Sequence, residues 1–132
     1  MKMRKIIKIF LSMTMILTLG SCSNTPDRTL DYEQISASQA KAIMDSEKNY
    51  VIIDARTQSE FDEGHIPGAI LIPEYEVAER AESELPDKNQ LILVYCRSGR
   101  RSKIAAQALV DLGYTNVKEF GGIIDWKYEI VN

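Results

Sequence analysis

Residues 90–113 read QLILVYCRSGRRSKIAAQALVDLG, and this stretch decides the fold. The apolar run Gln90–Tyr95 predicts a buried strand, and Ser102–Leu112 predicts a helix that Gly113 ends. A six-residue loop, Cys96–Arg101, joins the two. Helical spacing assigns five residues to the apolar face of that helix: Ile104, Ala105, Ala108, Leu109 and Leu112.

The flanking sequence continues this alternation of strand and helix. Two capping boxes, Ser36–Gln39 and Thr57–Glu60, each predict the start of a helix, and Gly64 ends the second. The other predicted elements are the strands Tyr50–Ala55 and Val117–Phe120, the helix Glu74–Leu85 and a short helix around Trp126. A further apolar run, Ala69–Ile72, ends at Pro73. Strands that alternate with helices predict an α/β fold, in which helices cover both faces of a mostly parallel sheet.

Composition limits the classes of function. A chain of 132 residues, 45% of them hydrophobic, has enough apolar material for one domain core. The first 21 residues hold four of the 16 basic side chains and none of the 19 acidic ones, so the other 111 residues carry a formal charge of −7. We expect no nucleic-acid partner, because neutralising phosphates needs a net basic face. Two cysteines and one histidine are too few for an all-Cys/His structural zinc site.

Residues 1–21 are predicted to be a signal peptide. The basic segment Met1–Lys8 precedes an uncharged apolar run of 11 residues, Ile9–Leu19, which is short for a membrane-spanning helix. Leu19-Gly20-Ser21-Cys22 then resembles the lipobox of bacterial lipoproteins, in which the cysteine is lipidated and becomes the first mature residue. The alternatives are an ordinary signal peptide or an uncleaved anchor.

The lipobox resemblance implies a localisation and a domain division. We expect an exported protein that lipid on Cys22 anchors to the extracytoplasmic face of a bacterial membrane. Residues 22–31 are polar and predict a tether, which leaves residues 32–132 as the folded domain.

The loop Cys96–Arg101 is the predicted site of chemistry, because active sites of open parallel sheets lie at the carboxyl ends of strands. Its backbone N–H groups, with those of the following helix, can bind an anion. Three arginines and Lys103 add positive charge, and we expect both effects to lower the pKa of Cys96 below about 8.5. An inert buried cysteine beside a solvated basic helix start is the alternative. However, cations at a helix N-terminus oppose the helix dipole and therefore favour a bound anion.

Three segments resemble the single-domain rhodaneses, a family of sulfurtransferases. They are Asp54-Ala55-Arg56 with the residues 60–69 (EFDEGHIPGA), the loop Cys96–Arg101 with Ser102, and the residues 121–126 (GGIIDW). The resemblance implies a rhodanese-like α/β fold with a central five-stranded sheet. It also implies chemistry without a metal or an organic cofactor, and we expect a monomer.

The resemblance also implies roles for individual residues. Cys96 corresponds to the nucleophile, which takes a sulfane sulfur from an anionic donor such as thiosulfate and passes it from a persulfide to cyanide or a thiol, a protein thiol included. The backbone of Arg97, Ser98, Gly99, Arg100 and Arg101 would hold the persulfide, and the arginines would attract the donor.

Four residues outside the loop receive supporting roles. Asp54 and Arg56 resemble residues that support the active site without contacting the substrate, with a purely structural role as the alternative. We expect Arg56 to pair with Glu60 at the helix start. The single histidine, His65, is predicted to be a hydrogen-bonded turn residue, and Trp126 a core residue.

Two other functions remain open. Phosphatases and arsenate reductases also use a Cys-Arg loop, but with five residues between cysteine and arginine, whereas Ser102 stands at that position here and Arg101 comes one residue early. A smaller loop suits one sulfur atom better than a tetrahedral oxyanion. The second alternative is a carrier that passes persulfide to a protein partner without turnover.

Overall fold

A central sheet of five strands organises residues 31–132, the part of the chain that the computed structural model describes. The strands are β1 (Glu33–Gln34), β2 (Tyr50–Asp54), β3 (Ile70–Leu71), β4 (Leu91–Cys96) and β5 (Val117–Gly122). Neighbouring strands are parallel, in the order β1-β5-β4-β2-β3. The predicted α/β fold with a five-stranded sheet is confirmed. The predicted signal peptide, Cys22 and the tether before Asp31 lie outside the described residues.

Four helices cover the two faces of the sheet: α1 (Ala37–Ser46), α2 (Gln58–Glu63), α3 (Val77–Glu84) and α4 (Arg100–Asp111). Alternate residues of β4 point to opposite faces, as the pleat of a strand requires. Ile92, Val94 and Cys96 pack with residues of α3 and α4 on one face. Leu93 and Tyr95 pack with residues of α1 on the other. Cys96 therefore ends the strand on the α4 side of the sheet.

Both predicted capping boxes are confirmed. The side chain of Ser36 accepts the N–H of Gln39 at the start of α1, and that of Thr57 accepts the N–H of Glu60 at the start of α2, with the reciprocal bonds also present. Each box satisfies backbone donors that the first helical turn leaves free. The second box places Glu60 beside the carboxyl end of the sheet.

The structure corrects several predicted elements. The predicted helix Glu74–Leu85 begins as a 3₁₀ turn, Glu74–Glu76, and becomes α-helical at Val77. A second 3₁₀ turn, Ile123–Asp125, ends just before Trp126. The sequence does not predict β1, because its two residues are exposed and have no apolar pattern.

The predicted apolar face of α4 is wrong at Ile104, which is 45% exposed. α4 begins at Arg100, two residues earlier than predicted, and its buried residues are Ser102, Ala105, Ala106 and Leu109. The helix therefore turns a serine toward the sheet and an isoleucine toward solvent.

No helix among residues 31–132 is long and apolar enough to cross a membrane.

Candidate active site

The candidate nucleophile Cys96 lies at the end of β4, inside the loop that leads into α4. Its side chain is buried, with 1% of the residue exposed. The loop turns back at Gly99, whose φ of +109° falls in the left-handed region that favours glycine. This turn brings the N–H of Gly99 to 3.0 Å from Cys96 Sγ. The loop therefore directs a backbone donor at the sulfur.

Hydrogen bonding lowers the pKa of Cys96. Burial raises the pKa of the thiol, but the hydroxyl of Ser102 and the backbone N–H groups of Ser102, Gly99 and Ser98 lower it by more, so the net pKa lies below its usual value. The direction agrees with the sequence prediction. The cause differs in part, because these hydrogen bonds, and not the charges of the loop arginines, are the main factors that lower the pKa.

The Gly121-Gly122 pair allows the loop to approach the end of β5. A Cβ atom on Gly122 would lie 1.9 Å from the carbonyl oxygen of Arg97, a distance that no real contact permits. Gly121 has a φ of +84° and lies within an irregularity of the β4–β5 pairing, in which Val94 pairs with Glu119 and Cys96 pairs with Gly122. Close backbone packing therefore requires glycine at position 122, whereas Gly121 is favoured by its positive φ.

The loop arginines have different surroundings. Arg97 and Arg100 are exposed at the rim of the loop. Arg101 is half-buried, and its guanidinium donates hydrogen bonds of 2.7 and 2.9 Å to the two carboxylate oxygens of Glu60. These bonds hold the pKa of Glu60 down at about 2, against an ordinary 4.5. The predicted pairing of Arg56 with Glu60 is wrong, since Arg101 takes that carboxylate.

Arg56 instead pairs with Asp54, and both side chains are buried. The guanidinium binds both carboxylate oxygens of Asp54 and the carbonyl oxygen of Gly64. The hydroxyl of Tyr95 donates to Asp54 at 2.6 Å and accepts the N–H of Ile66 at 3.1 Å. This network joins β2 and β4 to the turn after α2. The network includes Tyr95, which precedes Cys96 in the chain, but none of these hydrogen bonds reaches Cys96 itself. The supporting role of Asp54 and Arg56 in the site therefore stays a prediction.

The two remaining residues occupy their predicted places. His65 Nδ1 lies 3.0 Å from the carbonyl oxygen of Phe61, and the His65 ring stacks on the Phe61 ring. Trp126 is buried in the core cluster on the α1 side of the sheet.

Two polar residues beside Cys96 were not predicted as site residues. Ser102 is fully buried and its Oγ lies 3.4 Å from Cys96 Sγ. The same oxygen lies 2.6 Å from Oε1 of Glu119, a carboxylate on β5 that is only 3% exposed. The sequence contained one signal for Glu119: it lies two positions after Val117 in the same strand, so its side chain points to the same face of the sheet as that buried valine.

The arrangement is suited to covalent chemistry on an anionic ligand. A thiol of lowered pKa, backbone N–H donors to that thiol and two exposed arginines lie at one edge of the sheet. No group of three or more potential metal ligands occurs among residues 31–132.

Comparison with known proteins gives a consistent result. The sequence profile of the family described as "Rhodanese-like domain" matches residues 36–129. The chain is 44% identical over 73 residues to "Thiosulfate sulfurtransferase PspE" of Escherichia coli, covering 55% of this chain and 70% of that protein. It is 36% identical over 97 residues to "Thiosulfate sulfurtransferase GlpE" of Coxiella burnetii, covering 73% of this chain and 88% of that protein.

Solved structures agree with the sequence relatives. A structure titled "rhodanese with anions from E. coli" superposes with a TM-score of 0.60 at 40% sequence identity. The superposition covers 63% of this chain and 98% of the other. The similarity therefore extends over nearly the whole of that chain.

Proposed function

The chain belongs to the rhodanese-like domain family, and from this membership we propose that it is a sulfurtransferase that works through a persulfide on Cys96. The observation that carries the proposal is the hydrogen-bonded position of Cys96 Sγ, 3.0 Å from the N–H of Gly99 inside a loop of backbone donors. The names of the relatives, thiosulfate sulfurtransferases, support the same chemistry.

The first half-reaction loads sulfur onto the enzyme. The Cys96 thiolate attacks the outer sulfur of a donor such as thiosulfate, a new S–S bond forms, and the S–S bond of the donor breaks. Sulfite leaves with the electron pair of the broken bond. The persulfide keeps the negative charge on its outer sulfur, where the loop N–H groups stabilise it as an oxyanion hole stabilises a developing charge.

The second half-reaction unloads the sulfur. A nucleophilic acceptor, cyanide or a thiol, attacks the outer sulfur, and the Cys96 thiolate leaves with the electron pair of the persulfide bond. Both half-reactions are nucleophilic displacements at a sulfane sulfur, so neither needs an external oxidant or reductant. Arg97 and Arg100 are exposed at the loop and suit the recruitment of an anionic donor.

Loading with thiosulfate tests this function directly. The full-length protein in detergent should gain one sulfur atom on the peptide that contains Cys96, detected by mass spectrometry, and lose it when cyanide is added. The variant Cys96→Ser should gain none, while Cys22→Ser should load like the wild type. Sulfur transfer that survives in Cys96→Ser would contradict the proposal. Loading without catalytic turnover would instead indicate a persulfide carrier.

We also propose that the protein acts at a membrane surface. The support is the order of basic segment, apolar run and Leu19-Gly20-Ser21-Cys22 at the N-terminus. Two acyl chains on Cys22 hold a protein on a membrane far more firmly than one. An anchored domain of this kind would meet its donor and acceptor outside the cytoplasm.

A further inference from the structure

Glu119 is a buried carboxylate with no cationic partner. It is 3% exposed, and no salt bridge among residues 31–132 includes it. Removing a carboxylate from water without an opposite charge is costly, and such groups concentrate at functional sites. Its side chain receives two hydrogen bonds, from the Ser102 hydroxyl at 2.6 Å and from the N–H of Gly121 at 2.7 Å.

The charged residues on the surrounding elements do not neutralise Glu119. On α4, Arg101 pairs with Glu60, and on β1, Glu33 pairs with Lys118 of β5. On β2, next to β4, Asp54 pairs with Arg56. The other cations near the loop are exposed: Arg97, Arg100 and Lys103. β4 itself contains no charged residue.

Ser102 connects this carboxylate to the nucleophile. Cys96 Sγ donates to Ser102 Oγ at 3.4 Å, and Ser102 Oγ donates to Glu119 Oε1 at 2.6 Å. The hydroxyl has one proton, and its other acceptors, the carbonyl oxygens of Gly99 and Gly121, lie farther away at 3.0 and 3.3 Å. The three side chains therefore form a continuous chain, S–H to O–H to carboxylate.

We propose that Glu119 is a positioning residue that holds the proton of Cys96, through Ser102, while the cysteine is ionised. The Cys96 proton moves to Ser102 Oγ as the Ser102 proton moves to Glu119 Oε1. The products are a thiolate that accepts from Ser102 and a carboxylic acid that donates to Ser102, so both hydrogen bonds reverse and none is lost. The pair keeps one proton and its total charge of −1 throughout.

This inference extends the proposed function, because a persulfide on Cys96 has no proton on Sγ. Glu119 would hold the proton during the persulfide half of the cycle and return it when the Cys96 thiolate leaves. The alternative is a purely structural role, in which Glu119 only ties Gly121 at the end of β5 to the start of α4.

Alkylation of Cys96 against pH separates the two roles. Two groups that share a proton titrate in two steps that belong to the pair. In the full-length wild type in detergent, the rate of iodoacetamide alkylation at the Cys96 peptide should therefore rise with pH in two steps. Glu119→Gln keeps the side-chain shape and cannot take the proton, so its profile should have one step. Ser102→Ala removes the connecting hydroxyl, and its single step should occur at a higher pH than that of Glu119→Gln.

A matched control is Glu33→Gln, which removes an exposed carboxylate from β1 and should retain the two steps of the wild type. Thermal unfolding of each variant identifies one that fails to fold, and the profile of the other variant then decides the question alone. Two steps that persist in Glu119→Gln, or a single step common to the wild type and both variants, would overturn the inference. Alkylation needs no sulfur donor. A two-step profile in a protein that forms no persulfide would therefore contradict the proposed function and leave this inference standing.

Discussion

Arg101 and Glu60 form a bidentate ion pair between the start of α4 and the start of α2, with N–O distances of 2.7 and 2.9 Å. The two residues are 41 positions apart in the sequence and both are half-buried. Glu60 also accepts the hydroxyl of Thr57, its own helix cap, at 3.1 Å. The pair therefore fixes the last residue of the nucleophile loop to a capped helix, and it leaves Arg97 and Arg100 as the exposed loop arginines.

Glu60→Gln should destabilise the protein in a pH-dependent way. The folded pKa of Glu60 is about 2 and its ordinary value is 4.5, so its ionised form contributes stability above about pH 4.5 that is lost as the pH falls toward 2. We expect the variant to lose about 1–2 kcal/mol of unfolding free energy at pH 7, between the values for exposed and buried pairs. Urea unfolding against pH should show this difference shrink on acidification.

Glu76→Gln is the matched control for that measurement, because it breaks an i,i+4 pair with Arg80 whose side chains are more exposed. Its loss should stay within about 0.5 kcal/mol. An equal loss in both variants, or a Glu60→Gln difference that does not change between pH 7 and 2, would contradict the assignment.

Gly122→Ala should disable the loop. The added Cβ would lie 1.9 Å from the carbonyl oxygen and 2.2 Å from the carbonyl carbon of Arg97, and backbone atoms cannot move aside cheaply. We expect the rate of Cys96 alkylation at neutral pH and sulfur loading from thiosulfate to fall together, because displacing the loop moves the N–H donors away from the sulfur.

Gly113→Ala provides the comparison. Gly113 has a φ of +96°, and a Cβ atom added there would have nothing within 4 Å. Alanine at this position therefore adds backbone strain of about 1 kcal/mol and no clash. Its thermal unfolding should shift while Cys96 reactivity stays at the wild-type level. If Gly122→Ala retained wild-type reactivity, the close approach of loop and β5 would not matter to the site.

Local sequence was sufficient for the parts of the fold that depend on neighbouring residues. Ser36 with Gln39 and Thr57 with Glu60 satisfy backbone donors within one helical turn, so a short local pattern suffices to identify each helix start. The strand β4 was equally clear, because its uninterrupted apolar run is buried on both faces of a parallel sheet.

Long-range polar pairs were not predictable in the same way. Ser102 and Glu119 are of residue types that are mostly exposed in proteins, and here both are buried with a hydrogen bond between them. α4 turns Ser102 toward the sheet and Ile104 toward solvent, contrary to the hydropathy of the two residues. Likewise, Arg101 and Arg56 could each pair with several acidic residues, and only the packing of α2 against the loop decides which carboxylate each one binds.

Membrane attachment should depend on Cys22, which lies outside the described residues. In a bacterial host that processes lipoproteins, Cys22→Ala should remove the lipid, because the sulfur of that cysteine is the acceptor in the lipobox resemblance. Detergent-phase partitioning and the intact mass of wild type and variant check this. Cys96→Ala is the control and should partition like the wild type. Equal partitioning and equal processed masses for wild type and Cys22→Ala would contradict the lipid anchor.

Arg100→Ala should weaken use of the anionic donor more than it slows the chemical step. Arg100 is exposed and takes part in no salt bridge within residues 31–132, and we expect it to attract the donor similarly in the ground state and the transition state. Loss of such uniform binding raises KM and leaves kcat nearly unchanged. Steady-state kinetics with thiosulfate should show this split, and added salt should raise the wild-type KM as screening increases. Arg80→Ala, on the distant helix α3, should show neither effect; a fall confined to kcat in Arg100→Ala would assign this arginine to the chemical step instead.

Hydrolysis of aryl phosphates should be negligible beside sulfur transfer, because the loop is too small for a phosphoryl group. Only four residues separate Cys96 from Arg101, and Arg101 is already engaged by Glu60, so Arg101 cannot serve as the guanidinium that a Cys-Arg phosphatase loop requires. Side-by-side rates on the same full-length preparation, with thiosulfate and cyanide in one assay and p-nitrophenyl phosphate in the other, make the comparison. The variant Glu60→Gln makes this comparison stricter, because it releases Arg101 from its ion pair. If loop size is the limit, this variant should still show no phosphatase activity. Aryl phosphate turnover that matched sulfur transfer in the wild type would overturn the sulfurtransferase proposal.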